Sequence, residues 1–188
     1  MMLLDTGTLR NFAACNRLDL LRRLCDSYSA PHWVEAVRAE VERLSIQREG
    51  PERTQCRYIL SRRHGSWLGD PIEPGLGEQV DIFAVRTALA SGAGGHPLEH
   101  LGEAQTIWVA EQLHATFATD DASAFAYASR RLGPTRVVDT VDLLKRGVAA
   151  RSLTPDDACE VARIMRSAGR RFRRVHPTPL MPAHFTTI

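Results

Sequence analysis

Two short apolar runs deliver acids to what reads as one place. Met1-Met2-Leu3-Leu4 ends in Asp5-Thr6, and Thr116-Phe117-Ala118-Thr119 ends in Asp120-Asp121. Both runs have the composition of a buried strand, and both set a hydroxyl beside a carboxylate. Strands of one doubly wound sheet bring their last residues to a shared edge, the crevice where such sheets bind ligands. Carboxylates aimed at one point repel each other, a cost that a divalent cation between them removes. Glu40 and Glu103 are candidates to join the group. Mg²⁺ or Mn²⁺ held by such acids would activate a water and offset the charge developing on a phosphodiester under attack. Magnesium keeps several waters, so a few acids from separate elements suffice. Taken singly, most of these acids also have structural uses: Glu40 as a solvated helix residue, Glu103 as a charge favoured at a helix N-terminus, Asp120 or Asp121 as a cap. Asp5 has the fewest.

The elements that must position these acids follow from the apolar pattern. Leu9, Phe12, Ala13, Leu18, Leu21 and Leu24 form a helical stripe over residues 8–25, interrupted near Asn16. Pro31 suits a first helical turn, and Val34, Val37, Val41 and Leu44 continue from it, so a helix opening there would carry Glu40 beside its apolar stripe. Residues 45–75 turn polar, with Gly50-Pro51, Gly69-Asp70-Pro71 and Pro74-Gly75 as breakers and a short helix over 52–62. A helix over 77–91 would bury Val80, Phe83, Ala84 and Leu89, and the glycines at 92, 94 and 95 would end it. Glu103 opens the next helix, with Ala104, Ile107 and Trp108. A helix over 122–131 stops at Gly133-Pro134, and 135–139 reads as a strand. Thr154-Pro155-Asp156-Asp157 is a strong helix start, with Ala158, Val161, Ala162 and Met165 as the buried face. Strands alternating with helices predict an α/β fold with a central parallel sheet flanked by helices.

With 188 residues and 44% hydrophobic content, the chain can bury one good core. A formal charge of +2 gives no strong overall field, so partners must be sought in local clusters. Cysteines 15, 25, 56 and 159 contain no Cys-x-x-Cys pair, and three of them fall in helical patterns, which predicts reduced, buried thiols. No apolar run approaches the ~20 residues of a membrane span. The N-terminus also lacks a basic segment before an apolar stretch, so a cytoplasmic location is expected. Arg163, Arg166, Arg170, Arg171, Arg173 and Arg174 form a late basic run that would either neutralise phosphates or remain a solvated terminus. Phe172 is the lone aromatic within it, which does not support a base-stacking platform. His96 and His100 are four apart, but Pro97 stands where a zinc helix has glutamate directly after its first histidine, and neither a phosphate-binding loop nor a serine nucleophile elbow is present.

Leu4-Asp5-Thr6-Gly7-Thr8-Leu9, continued through Arg17-Leu18-Asp19-Leu20-Leu21, resembles the N-terminus of PIN-domain proteins. His100-Leu101-Gly102-Glu103-Ala104 resembles the Gly-Glu-Ala signature of a PIN subgroup related to the toxins of bacterial VapBC-type toxin–antitoxin systems. Thr119-Asp120-Asp121 is similar to that subgroup's acidic pair, and Pro31, Val37 and Glu40 resemble its Pro-x-x-Val-x-x-Glu helix with a longer first spacing. The resemblance implies a three-layer PIN-like nuclease domain over residues 1–170, followed by a basic, proline-containing tail over 171–188. It implies a Mg²⁺- or Mn²⁺-dependent endoribonuclease in which Asp5, Glu103 and Asp121 bind metal, with Asp120 as substitute for Asp121. Glu40 is then the fourth family acid, and Thr6 and Thr119 hold carboxylates by hydrogen bonds. RNA would meet Arg170, Arg171, Arg173 and Arg174. A small cognate antitoxin would block the acidic groove, and two copies would pair.

Three departures stand out. Gly7 occupies a position where these proteins carry Ser or Asn, Phe125 one where the subgroup has Arg, and residues 45–99 do not match closely. Two alternatives therefore remain: a degenerate PIN fold acting as a binding module, and a haloacid-dehalogenase-type phosphatase. The latter also sets Asp-Thr after its first strand but needs a second Asp where Gly7 stands.

Overall fold

Met2, Leu3 and Leu4 are wholly buried, and the strand they form is the axis of the fold. The computed structural model describes residues 1–26, 30–90, 99–173 and 180–186. In chain order it contains β1 (Met2–Leu4), α1 (Thr6–Ala14), α2 (Leu18–Asp26), β2 (Pro31–His32), α3 (Glu35–Gln47) and α4 (Gly50–Leu60). Then come α5 (Gln79–Leu89), α6 (Leu101–Gln112), β3 (Thr116–Ala118), α7 (Ala122–Leu132), β4 (Val137–Val138), α8 (Thr140–Ala149) and α9 (Pro155–Ser167). The four strands are all parallel, in the order β2-β1-β3-β4.

That order decides where a site can form. From β1 the chain steps toward one edge of the sheet, and from β3 toward the other, so the direction of winding reverses between β1 and β3. Crossovers between parallel strands are right-handed, which puts the helices of the two halves on opposite faces. Accordingly α2 packs on β2, while α6 packs on β1 and β3, and α7 on β4. After β4 the chain returns to the first face, where α8 meets α2, and α9 meets α1 and α8. Helices α3 and α4 pack together and bridge α1 to α6. A three-layer α/β arrangement results, as the alternation of strands and helices predicted.

Several elements differ from the sequence expectation. Residues 8–25 are broken where expected, because Asn16 takes a left-handed conformation (φ 57°) between α1 and α2. Pro31, by contrast, does not start a helix. It pairs with Met2 in β2, an edge strand, where a residue without an amide hydrogen costs the ladder least, and the helix begins only at Glu35. Helix α5 begins at Gln79 and buries Ile82 and Val85, leaving Val80 and Phe83 exposed by 76% and 62%. Leu76, in the 3-10 turn before it, is 93% exposed. The glycines at 92, 94 and 95 lie outside the described residues.

Helix α8 had no predicted counterpart. Its N-terminus is a capping box in which Asp139 accepts from the Asp142 amide and Asp142 accepts from the Asp139 amide. Thr154 and Asp157 make the same box at α9, with Pro155 in the first turn, as the sequence there predicted. Beyond residue 170 the chain is no loose tail throughout. Leu180 and Phe185 are buried, and the Cys159 thiol donates to the Leu180 carbonyl at 3.3 Å. All four cysteines are free thiols and three are buried. Among the described residues no helix is long and apolar enough to cross a membrane.

Candidate functional site

The carboxyl ends of β1 and β3 deliver their acids to the point where the winding reverses. The Asp5 amide donates to the Ala118 carbonyl at 3.2 Å, which sets the two strand ends side by side. Asp5 then caps α1, accepting from the Thr8 amide at 2.6 Å, and its second oxygen accepts from the Thr119 hydroxyl at 2.5 Å. Thr6, the first residue of α1, donates to Glu40 at 2.6 Å and so ties α3 to the same corner. Gly102 lies where α6 meets that helix: a Cβ there would sit 3.4 Å from the Val37 side chain and 3.5 Å from the Glu40 carboxylate, both ordinary contacts. Glu103, next in sequence, therefore arrives beside Asp5, Glu40 and Asp121, which all raise its proton affinity.

Asp120 and Asp121 divide their labour. Asp121 caps α7 by accepting from the Ala124 amide at 2.7 Å. Asp120 turns toward α1 and α8, accepting from the Asn11 amide group at 2.8 Å and from the Thr140 hydroxyl. Among the described residues none of Asp5, Glu40, Glu103, Asp120 and Asp121 forms an ion pair. The electrostatic consequence is strong. Loss of solvent pushes the Glu103 carboxyl up to about 8, opposed only by its own backbone amide. Burial likewise lifts Asp120 to about 7, against the pull of the Thr140 hydroxyl, with Asp5 and Asp139 adding repulsion. Asp5 is also raised by burial, although Thr119 and Thr8 pull it down.

Such a donor set is all oxygen, partly shielded from water and short of positive charge, which suits a hard divalent cation. It is not a formed coordination shell, because among the described residues no three His, Cys, Asp or Glu side chains are grouped to hold a metal ion. Four of the five carboxylates are held by neighbouring hydroxyls or amides. Each held oxygen retains a further lone pair, so those bonds orient the acids without exhausting them.

The late arginines are placed differently from one another. Arg170 donates to the Asn11 side-chain carbonyl at 2.7 Å and to the Gly7 carbonyl at 3.3 Å, which makes Asn11 a bridge between Arg170 and Asp120. Arg173 pairs with the buried Asp139 at 2.8 Å and lies 3.5 Å over the Phe125 ring. Position 125, which lacks an arginine of its own, thus has a guanidinium stacked on it. Arg171 is exposed, while Arg174, His96 and Pro97 lie outside the described residues. Gly7 lies directly beside Asp5: a Cβ there would stand in contact with its carboxylate, 3.4 Å away.

Asn11, Thr140, Asp139 and the inward turn of Arg170 were not anticipated from sequence. Two signals were present. Asn11 is a polar residue on the apolar side of α1, and Val137-Val138-Asp139-Thr140 repeats the strand, acid and hydroxyl pattern of Leu3-Leu4-Asp5-Thr6.

No protein-family model, no curated protein and no solved structure matches the chain.

Proposed function

We propose that this protein is a divalent-metal-dependent endoribonuclease of the PIN type, acting as the toxin of a toxin–antitoxin pair. The observation that carries this reading is the set of acids at the β1–β3 reversal, none of them in an ion pair among the described residues, with Asp5, Glu103 and Asp120 raised by burial and by neighbouring acids. Structural acids in a folded domain are ordinarily paired or solvated; acids poised this way stand ready for a cation or a proton. Asp5, Glu103 and Asp121 would hold Mg²⁺ or Mn²⁺, with Asp120 able to replace Asp121. Bound there, the metal would supply an activated water and counter-charge for the developing phosphorane.

The chain's own groups have separate parts. Thr119 and Thr6 fix Asp5 and Glu40 by hydrogen bonds, so that neither acid turns away from its neighbours. Glu40, close enough to Glu103 to raise its proton affinity, would help position the metal or the attacking water. Arg171, which is exposed, would attract the RNA backbone, while Arg170 braces the corner through Asn11. The exposed Leu76, Val80 and Phe83 form an apolar face suited to pairing two copies, and the acidic groove is the part a cognate antitoxin would block.

The test incubates the purified chain with structured and unstructured RNA, in Mn²⁺ or chelator, beside Asp5→Asn. Cleavage that needs Mn²⁺ and vanishes in the variant supports the reading. Equal cleavage by both proteins overturns it. One observation favours a second reading, a non-catalytic binding module: the acids are not grouped as a preformed metal site. RNA binding without cleavage and without uptake of Mn²⁺ in calorimetry would select that module.

A further inference from the structure

A cavity of about 560 Å³ opens between α3 and the first turn of α6, with Glu40 and Glu103 in its wall. Its volume lies within the range of sites for small organic ligands. Ala36, Ala39 and Gly102 contribute little side chain to the lining and Leu101 adds apolar surface, so part of the wall is smooth enough to meet a flat ring. Glu99, Arg43 and His100 complete the lining, and the last two distinguish the cavity from the acidic cluster alone.

Arg43 lies on α3 three residues after Glu40 and lines the same cavity. Among the described residues its guanidinium has no hydrogen bond and no ion pair, whereas Arg10, Arg131 and Arg173 each engage a carboxylate. An unengaged guanidinium on the wall of a cavity is suited to a phosphate, which it can grip with two parallel bonds. His100, which also lines the cavity, has φ 60° and ψ 11°. That left-handed conformation is one that glycine adopts freely and other residues adopt at a cost, and such outliers cluster where ligands are held.

We infer that this cavity is a nucleotide subsite: it seats the base and sugar next to the phosphodiester lying on the acids, Arg43 binds the flanking phosphate, and the His100 imidazole covers the base. The inference deepens the nuclease reading and rests on it. RNA would then be gripped on both sides of the cut, with the acids facing one phosphate and Arg43 the next.

The experiment measures anisotropy of a fluorescein-labelled single-stranded RNA in Mg²⁺, with Asp5→Asn as the parent so that the RNA stays intact. Adding Arg43→Ala weakens binding about ten- to a hundredfold and lowers the slope of log affinity against log salt by about one. Arg43→Lys restores part of the affinity, since charge returns without the paired geometry. Adding His100→Gly leaves the melting temperature equal or higher, because the strained φ is relieved. It also abolishes the loss of affinity that an abasic residue at one RNA position causes in the parent.

Unchanged binding in both the Arg43→Ala and His100→Gly proteins overturns the subsite. If the otherwise wild-type protein cleaves RNA in Mn²⁺ and Arg43→Ala leaves KM unaltered, the subsite falls while the nuclease stands. If no RNA is cleaved but binding depends on Arg43 and on one base, the nuclease falls while the subsite stands. Neither cleavage nor binding removes both.

Discussion

Replacing Glu103 by glutamine is expected to stabilise the metal-free protein at neutral pH. In the unfolded chain this carboxyl titrates at its ordinary 4.5, and in the folded protein near 8. The folded value is the higher one, so the folded state holds the proton more tightly. Stability is therefore complete below pH 4.5 and is lost as the pH rises toward 8. Across that window the loss runs at ~1.4 kcal/mol per pH unit. At pH 7.5 it reaches on the order of 4 kcal/mol, while at pH 5 it is only about 1 kcal/mol. Glutamine keeps the shape and does not titrate, so Glu103→Gln should flatten the profile and gain most of that difference at pH 7.5. Urea unfolding followed by circular dichroism, in chelator, from pH 5 to 8, reads both slopes. Mn²⁺ should then stabilise the wild-type protein far more than the variant, because binding to the folded state alone adds to its stability. A variant with the wild-type pH slope, or one less stable than wild type at pH 7.5 in chelator, would refute the reasoning. Asp120→Asn gives a second, overlapping case, with its folded value near 7.

Arg173→Ala should cost about 1–3 kcal/mol in urea unfolding, since it removes the guanidinium that pairs with the buried Asp139 and stacks on the Phe125 ring. Combining it with Asp139→Asn should recover part of that loss in a double-mutant cycle. Gly147→Ala should destabilise by about 1–3 kcal/mol, because the added Cβ would stand only 2.4 Å from a Leu24 methyl where α8 meets α2. Val80→Ser and Phe83→Ser should each change stability by less than ~0.5 kcal/mol, being exposed, while shifting sedimentation of the protein toward a single copy.

The central strands were legible because each is an apolar run too short for a helix and flanked by helical patterns, as with Leu3-Leu4 and Phe117-Ala118. Strand β2 was not, since two residues carry no periodicity and Pro31 suits a first helical turn as well as a sheet edge. The outward face of α5 was misread for a related reason. Val80 and Phe83 keep helical spacing just as Ile82 and Val85 do, and only the packing of α5 against α6 chooses between them. In the site, Asp5 and the pair at 120 and 121 could be found because strand ends of a parallel sheet share an edge. Which member of that pair faces inward depends on Asn11 and Thr140, side chains from remote helices that sequence does not connect to it. Arg170 reaches Asn11 across 159 positions, a contact that only the closed fold creates.

Arg170 and Arg173, late in the described chain, thus brace α1 and the start of α8. Translation runs toward the C-terminus, so Asp139 emerges before Arg173, and Asn11 long before Arg170. A message cut or stalled short of codon 170 would yield a protein with its acids in place and their clasp missing. The clasp on this corner is thus added only after every acid of the corner has been made.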